Sequence, residues 1–206
     1  MIQRWISYLK KTPYVIAIGK PDLEKPFEFD EDTRILFIKC LDNYDSLSSK
    51  VYGAICAIKE LWNPEFIIKI DDDVCVKTEV FEQWIYEEEH FPYEGNATKF
   101  IKEQETPDHY KNFSQHTKRY PDDFPTNIRY CGGPMYYLNR EAIDILVKYM
   151  KPYDILYEDL NVGYTLQMNG INAKGVKIYS NEHNCFFNEN DYFAWHDIKC
   201  HSVPKC

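Results

Sequence analysis

The sequence predicts one α/β domain with a mainly parallel central sheet flanked by helices, and three observations predict it. Short apolar runs rich in β-branched and aromatic residues alternate with longer segments whose apolar residues recur at helical spacing. One strand–helix–strand unit is complete: Ile35-Leu36-Phe37-Ile38, then a helix with Val51, Ala54, Ile55, Ile58, Leu61 and Trp62 on one stripe, then Phe66 to Ile70. Directly after that last strand stand Asp71, Asp72 and Asp73, at the sheet edge where open α/β sheets bind ligands. A chain of 206 residues can bury a sizeable core in one such domain.

Each element has a local reason. Tyr14 to Ile18 reads as a first strand, closed by Gly19-Lys20-Pro21-Asp22. Asp45 or Ser46 caps the first long helix, and Asn63-Pro64 stops it. Thr78 starts a second helix with Val80, Phe81, Trp84 and Ile85 facing inward. From about 87 to 125 periodicity fails, and the stretch reads as a flap or acceptor-facing insertion in the single domain 1–206. Order returns at Ile128 to Cys131 and Met135 to Leu138, with Gly132-Gly133-Pro134 between them implying a bulge or a close backbone approach. Asn139 caps a helix whose apolar set is Ile143, Ile145, Leu146, Tyr149 and Met150, and Pro152 follows it. Glu158-Asp159 opens a further helix that runs to Asn169-Gly170, and Lys174 to Tyr179 is a last strand. The tail from Ser180 to Cys206 is loop-rich and carries His183, His196 and His201.

Composition narrows the function. Hydrophobic residues are 44% and charged residues 28%, which is globular and not disordered. A formal net charge of -9 without a basic run excludes nucleic acid as a main partner. No apolar run reaches the ~20 residues of a transmembrane helix. The seven cysteines form no CxxC pair, so a zinc ribbon is excluded; Cys40, Cys56 and Cys75 read as buried thiols. Cytoplasm is the expected compartment. The Golgi lumen is the alternative if the chain is an excised domain.

Three consecutive carboxylates at the mouth of a core strand repel one another and lose solvation, a cost that a hard divalent cation offsets through carboxylate oxygens. A solvated turn is the plainer reading of the same residues. Asp42-Asn43-Tyr44-Asp45-Ser46-Leu47-Ser48-Ser49-Lys50, Ile70-Asp71-Asp72-Asp73-Val74, Tyr130-Cys131-Gly132-Gly133-Pro134-Met135-Tyr136 and Glu158-Asp159-Leu160-Asn161-Val162-Gly163 follow in that order. Together they resemble the β-1,3-galactosyltransferase and fringe-like family of glycosyltransferases. Ser46 replaces the usual Asn, the glycines around Cys131 are displaced, and Pro134 is unusual for it. The chain is similar to minimal, anchor-less forms such as those of large DNA viruses.

That resemblance implies a GT-A (Rossmann-like) fold and transfer of a sugar from a nucleotide-sugar donor, a UDP-sugar, to a hydroxyl of a glycan or glycoprotein acceptor. It implies Mn²⁺ (or Mg²⁺) as cofactor, bridging the enzyme and the donor diphosphate, with Asp71, Asp73 and His196 as metal residues and His201 as the substitute for His196. Gly19, Lys50, Asp71 and Asp72 are the implied donor-binding residues, and Gly132, Gly133 and Glu158 the substrate-binding ones. Asp159 is the candidate general base of an inverting transfer, since one carboxylate must take the acceptor hydroxyl's proton and the helix start favours its ionised form. Each has a plainer alternative: Glu158 and Asp159 as helix caps, Lys50 as a solvated lysine, the glycines as a bulge, His196 as a core or surface histidine. A retaining transferase of the same fold, a metal-dependent phosphohydrolase and a non-catalytic carbohydrate-binding protein are the competing functions.

Overall fold

A computed structural model describes residues 6, 8–100, 124–155, 157–176, 179–180 and 194–195. Three sheets organise them. The first is β1 (Ile16–Gly19), β2 (Phe27–Asp30) and β3 (Ile35–Ile38), in the order β1-β3-β2. β1 runs parallel to β3, and β2 runs antiparallel to it. A 3₁₀ turn at Tyr44–Ser46 then leads into α1 (Leu47–Trp62). The Asn43 side chain caps the turn by accepting the Ser46 N–H at 3.0 Å. Asn63 ends α1 in the left-handed region, φ 46°, where asparagine is tolerated, and donates its N–H to the Lys59 carbonyl at 3.0 Å.

The second sheet carries the site. Its order is β4 (Phe66–Ile70), β7 (Arg129–Asn139), β6 (Tyr93–Lys99) and β8 (Lys174–Gly175). β4 and β6 both run antiparallel to β7, and β8 is parallel to β6. α2 (Thr78–Glu87) covers one face, α3 (Arg140–Tyr149) and α4 (Glu158–Met168) the other. The third sheet joins β5 (Cys75–Val76), β10 (Ala194–Trp195) and β9 (Tyr179–Ser180) in the order β5-β10-β9.

Alternation along the strands sorts the core. Phe66, Ile68 and Ile70 of β4 join Met135 and Tyr137 of β7 against Phe81, Trp84 and Ile85 of α2. Ile67, Tyr136 and Leu138 point the other way, among Ile143, Leu146, Val162 and Leu166 of α3 and α4. Lys69 sits in β4 opposite Tyr136, so it shares that second, buried face.

The mainly parallel sheet needs correcting to a mixed one. β3 and β4, the two strands of the predicted crossover unit, belong to different hydrogen-bonded sheets, and β4 pairs antiparallel with β7. Residue pattern marks a strand but not its partner, because pairing is settled by contacts far apart in sequence. A second correction concerns the stretch 87–125. It contains β6, whose Tyr93 and Glu94 are buried between β7 and β8, so its beginning belongs to the sheet. Residues 101–123, most of the remainder of the predicted insertion, lie outside the described residues. Finally, Val80 and Tyr149 are exposed and not inward-facing; Glu82 is the buried residue of α2 next to Phe81. Its Oε1 accepts the N–H groups of Lys10, Lys11 and Thr12 at 2.7 to 3.1 Å, so an acid takes the place of an apolar contact by tying down the incoming chain.

No described helix is long and apolar enough to cross a membrane.

Candidate active site

The site assembles where three elements meet: the turn after β4, a bulge in β7 and the start of α4. β7 pairs Tyr136 with Gly95 and Cys131 with Ala97, so residues 132–135 stand opposite the single residue Asn96. This is the predicted bulge. Pro134 has no N–H to lose there, and its carbonyl accepts the Asp71 N–H at 2.9 Å. The acidic turn is thereby laced to the bulge through the backbone. The turn itself closes with the Val74 N–H on the Asp71 carbonyl at 3.2 Å. Asp71 and Asp73 are half-buried in it and Asp72 is exposed.

Lys69 occupies the middle of this meeting point. Its ammonium donates to Asp71 Oδ1 and to the Gly133 carbonyl, and lies 3.5 Å from Glu158 Oε2. Only 12% of its side chain is exposed. Burial disfavours the charged ammonium, but the charges of Glu158 and Asp71 outweigh it and hold Lys69 above the ordinary lysine value. A buried ammonium persists only when paired in this way.

Glu158 is buried more deeply still, with 2% of its side chain exposed. Its second oxygen accepts the Tyr136 hydroxyl. Burial pushes its pKa up to about 7, against the pull of the Lys69 ammonium. Tyr136 is held far above its usual value, first by burial and then by the Glu158 charge, so it remains a phenol that donates.

Asp159, the next residue, is anchored by backbone alone. Its Oδ2 accepts the Gly133 N–H at 3.0 Å and its Oδ1 the Leu160 N–H at 2.8 Å. Each carboxylate oxygen keeps a second lone pair for another donor. Burial raises the Asp159 pKa, and the Leu160 N–H, the Lys69 charge and the Gly133 N–H restrain the rise. The result is a fixed carboxylate, more basic than an exposed one.

α4 holds this pair in place by close packing. A Cβ on Gly163 would lie 2.4 Å from Tyr130 Cβ and 2.9 Å from the Arg129 carbonyl, so only glycine lets α4 approach β7 this closely. Buried Asn161 donates to Ser48 Oγ at 3.0 Å and to the carbonyls of Lys151 and Ile155 at 3.1 and 3.2 Å, which ties α4 to the start of α1.

Gly19, Asp42 and Lys50 form a neighbouring cluster. Lys50 Nζ is 2.7 Å from Asp42 Oδ1 and holds that carboxyl below its usual range, with help from the Gly19 N–H. A Cβ on Gly19 would meet backbone atoms of Leu41 and Asp42 at 2.8 Å, so this glycine is fixed by packing. Tyr44 stands on the rim of the acidic group. Burial and then the charges of Asp159, Asp71 and Glu158 raise its hydroxyl pKa.

The structure therefore brings Asp71, Gly133, Glu158 and Asp159 together, with Gly132 in the same bulge. His196 and His201 lie outside the described residues. Among the described residues no three His, Cys, Asp or Glu side chains converge on one point. The donor set of the turn is nonetheless all carboxylate oxygen, which suits a hard divalent cation. Sequence reasoning missed Lys69 and Tyr136. The signal was a charged residue inside the apolar strand Phe66-Ile67-Ile68-Lys69-Ile70, two positions before an acid.

A family model described as Galactosyltransferase matches residues 28–177. The chain belongs to that family. None of the curated proteins compared with it matches. The matched span of this galactosyltransferase-family member includes the acidic turn, the β7 bulge and the Glu158-Asp159 helix start. Gly19 precedes it and His196 follows it. Membership carries sugar transfer to an acceptor with it, so the chain is a glycosyltransferase.

Proposed function

We propose that this glycosyltransferase moves a sugar from a nucleotide-sugar donor, a UDP-sugar, to a hydroxyl of a glycan or glycoprotein acceptor with inversion at the anomeric carbon. The observation that carries the proposal is Asp159: a carboxylate of raised basicity, immobilised by two backbone N–H groups, joined through Gly133 and Lys69 to the acidic turn at the end of β4. The GT-A architecture is the frame we assign to it, supported by the family match and by that turn at the carboxyl end of a core strand.

In the proposed reaction Asp159 accepts the proton of the acceptor hydroxyl as that oxygen attacks the anomeric carbon. The bond from the anomeric carbon to the diphosphate oxygen breaks, and the nucleoside diphosphate leaves with the electron pair. Asp71 and Asp73 are the described residues that would hold Mn²⁺ or Mg²⁺, with His196 as a further ligand and Asp72 toward the donor. When bound, such a cation supplies positive charge against the departing diphosphate. Gly132 and Gly133 let the backbone come close to the transferred sugar or the acceptor. Lys50 and Gly19 line the donor side; Lys50 already pairs with Asp42, so a donor phosphate would share that ammonium.

Thermal-shift measurements across nucleotide sugars, with Mn²⁺ and with chelator, test the reading. Stabilisation by one UDP-sugar only with metal, followed by release of UDP and a product of inverted configuration, is the expected result. Full turnover in chelator, or a product that keeps the donor's configuration, overturns the assignment.

A further inference from the structure

We propose that Lys69 is a positioning residue of the transfer reaction, one that fixes the acidic turn and the base relative to each other without touching donor or acceptor. The inference rests on the functional reading above and extends it to a residue outside the predicted site.

An ammonium has three N–H bonds. Two are given to Asp71 Oδ1 in the turn and to the Gly133 carbonyl in the β7 bulge, and the ammonium also pairs by charge with Glu158 Oε2, 3.5 Å away on α4. The Tyr136 ring lies 5.7 Å from the nitrogen and closes the remaining side. With 12% of the side chain exposed, little of the ammonium is open to a phosphate. Lys50 offers the contrast, with more of its side chain exposed and one carboxylate partner.

Gly133 is the pivot of the coupling. Its carbonyl accepts from Lys69, and its N–H donates to Asp159 at 3.0 Å. Any displacement of the ammonium moves the residue that orients the base. On the other side Asp71 is held twice, by Lys69 at its carboxylate and by the Pro134 carbonyl at its N–H. Glu158, fixed between Lys69 and the Tyr136 hydroxyl, sets the first residue of the helix whose second residue is Asp159. Lys69 therefore sets the distance between the turn that receives the diphosphate and the carboxylate that receives the proton. Displacements near 1 Å in such geometry cost about a hundredfold in rate.

The test is steady-state kinetics on Lys69→Met, Lys69→Arg and Tyr136→Phe with the donor identified for wild type. Lys69→Met is expected to lower kcat about a hundredfold with the donor KM within about threefold, the pattern of lost orientation and not of lost donor binding. Lys69→Arg, which keeps the charge, is expected to recover about tenfold of that loss, and Tyr136→Phe to lower kcat about tenfold. Lys69→Met at wild-type kcat, or a loss confined to KM, overturns the proposal. Where Lys69→Met fails to fold, Lys69→Arg and Tyr136→Phe both turning over at the wild-type rate overturns it equally. Wild-type protein inert toward every nucleotide sugar overturns the functional reading and this proposal together, whereas active wild type matched by the variants overturns this proposal alone.

Discussion

The proton on Glu158 gives the site a measurable pH signature. Glu158 is buried against Tyr136 and Lys69, and its pKa stands at about 7 in the fold against 4.5 for a free glutamate. Between those values the folded chain binds a proton there that the unfolded chain has released. The unfolded state then binds fewer protons, so stability falls as pH rises. This contribution is fully present below about pH 4.5 and is lost by about pH 7. At about 1.4 kcal/mol per pH unit, the window corresponds to roughly 3 kcal/mol. Glu158→Gln removes the titration while keeping the shape and an oxygen for the Tyr136 hydroxyl. Urea unfolding of both proteins in chelator, at half-unit steps from pH 4 to 8, reads the effect. The wild type should lose stability relative to Glu158→Gln between about pH 4.5 and 7, and the difference should be flat above that. For a chain of this size roughly 3 kcal/mol corresponds to about 6–12 °C in Tm. Parallel curves across the whole range would show that Glu158 is ionised in the fold, and the account of the buried pair would be wrong.

Three further outcomes are expected. Asp159→Asn keeps the shape and one of the two backbone N–H contacts but cannot take a proton; transfer should fall 10²- to 10⁴-fold while donor binding, read by calorimetry, stays within a few-fold. Asp73→Ala should abolish the metal-dependent part of donor-induced thermal stabilisation and leave the unliganded Tm within a few degrees, since the turn is held by Asp71 and Val74 backbone bonds. Gly163→Ala places a methyl group 2.4 Å from Tyr130 Cβ and should cost about 1–3 kcal/mol in denaturant unfolding, with activity falling too because α4 carries Glu158 and Asp159.

Much of the local structure was legible in the sequence. Asn139 caps α3 as expected, its side chain accepting the Ala142 N–H at 2.9 Å, and Glu158 opens α4. The glycine–proline break in β7 is a bulge as predicted, because a proline and two glycines inside a strand have few other structural explanations. What was not legible depended on pairing. β6 reads Tyr-Glu-Gly-Asn-Ala-Thr-Lys, with little β-propensity, and becomes a strand because β7 and β8 flank it. Glu94 in it is buried because His90 Nδ1 lies 2.5 Å from its carboxylate and the Phe91 N–H bonds its other oxygen at 3.0 Å. No periodicity announces a buried acid satisfied by neighbours in a turn. The direction of β4 against β7 was hidden for the same reason, and with it the correction from a mainly parallel to a mixed sheet.

The same non-local pairing explains why Lys69 escaped a reading that found the acids around it. On local pattern a lysine in β4 is an interruption of an apolar run. In the fold it faces Tyr136 across the strand pair, with Gly133 one bulge away and Glu158 on the helix packed above. The acids cluster at the sheet edge as the motif order suggested, and burial weighs most on Glu158, whose side chain is 2% exposed against 31% for Asp71. One ammonium placed beside both acids offsets part of that cost, pulling against the burial that raises the Glu158 pKa to about 7. It leaves Asp72 exposed on the turn and Asp159 held by backbone N–H groups. β4 thus supplies an ammonium that meets both Asp71 and Glu158, from a position two residues before the turn it serves.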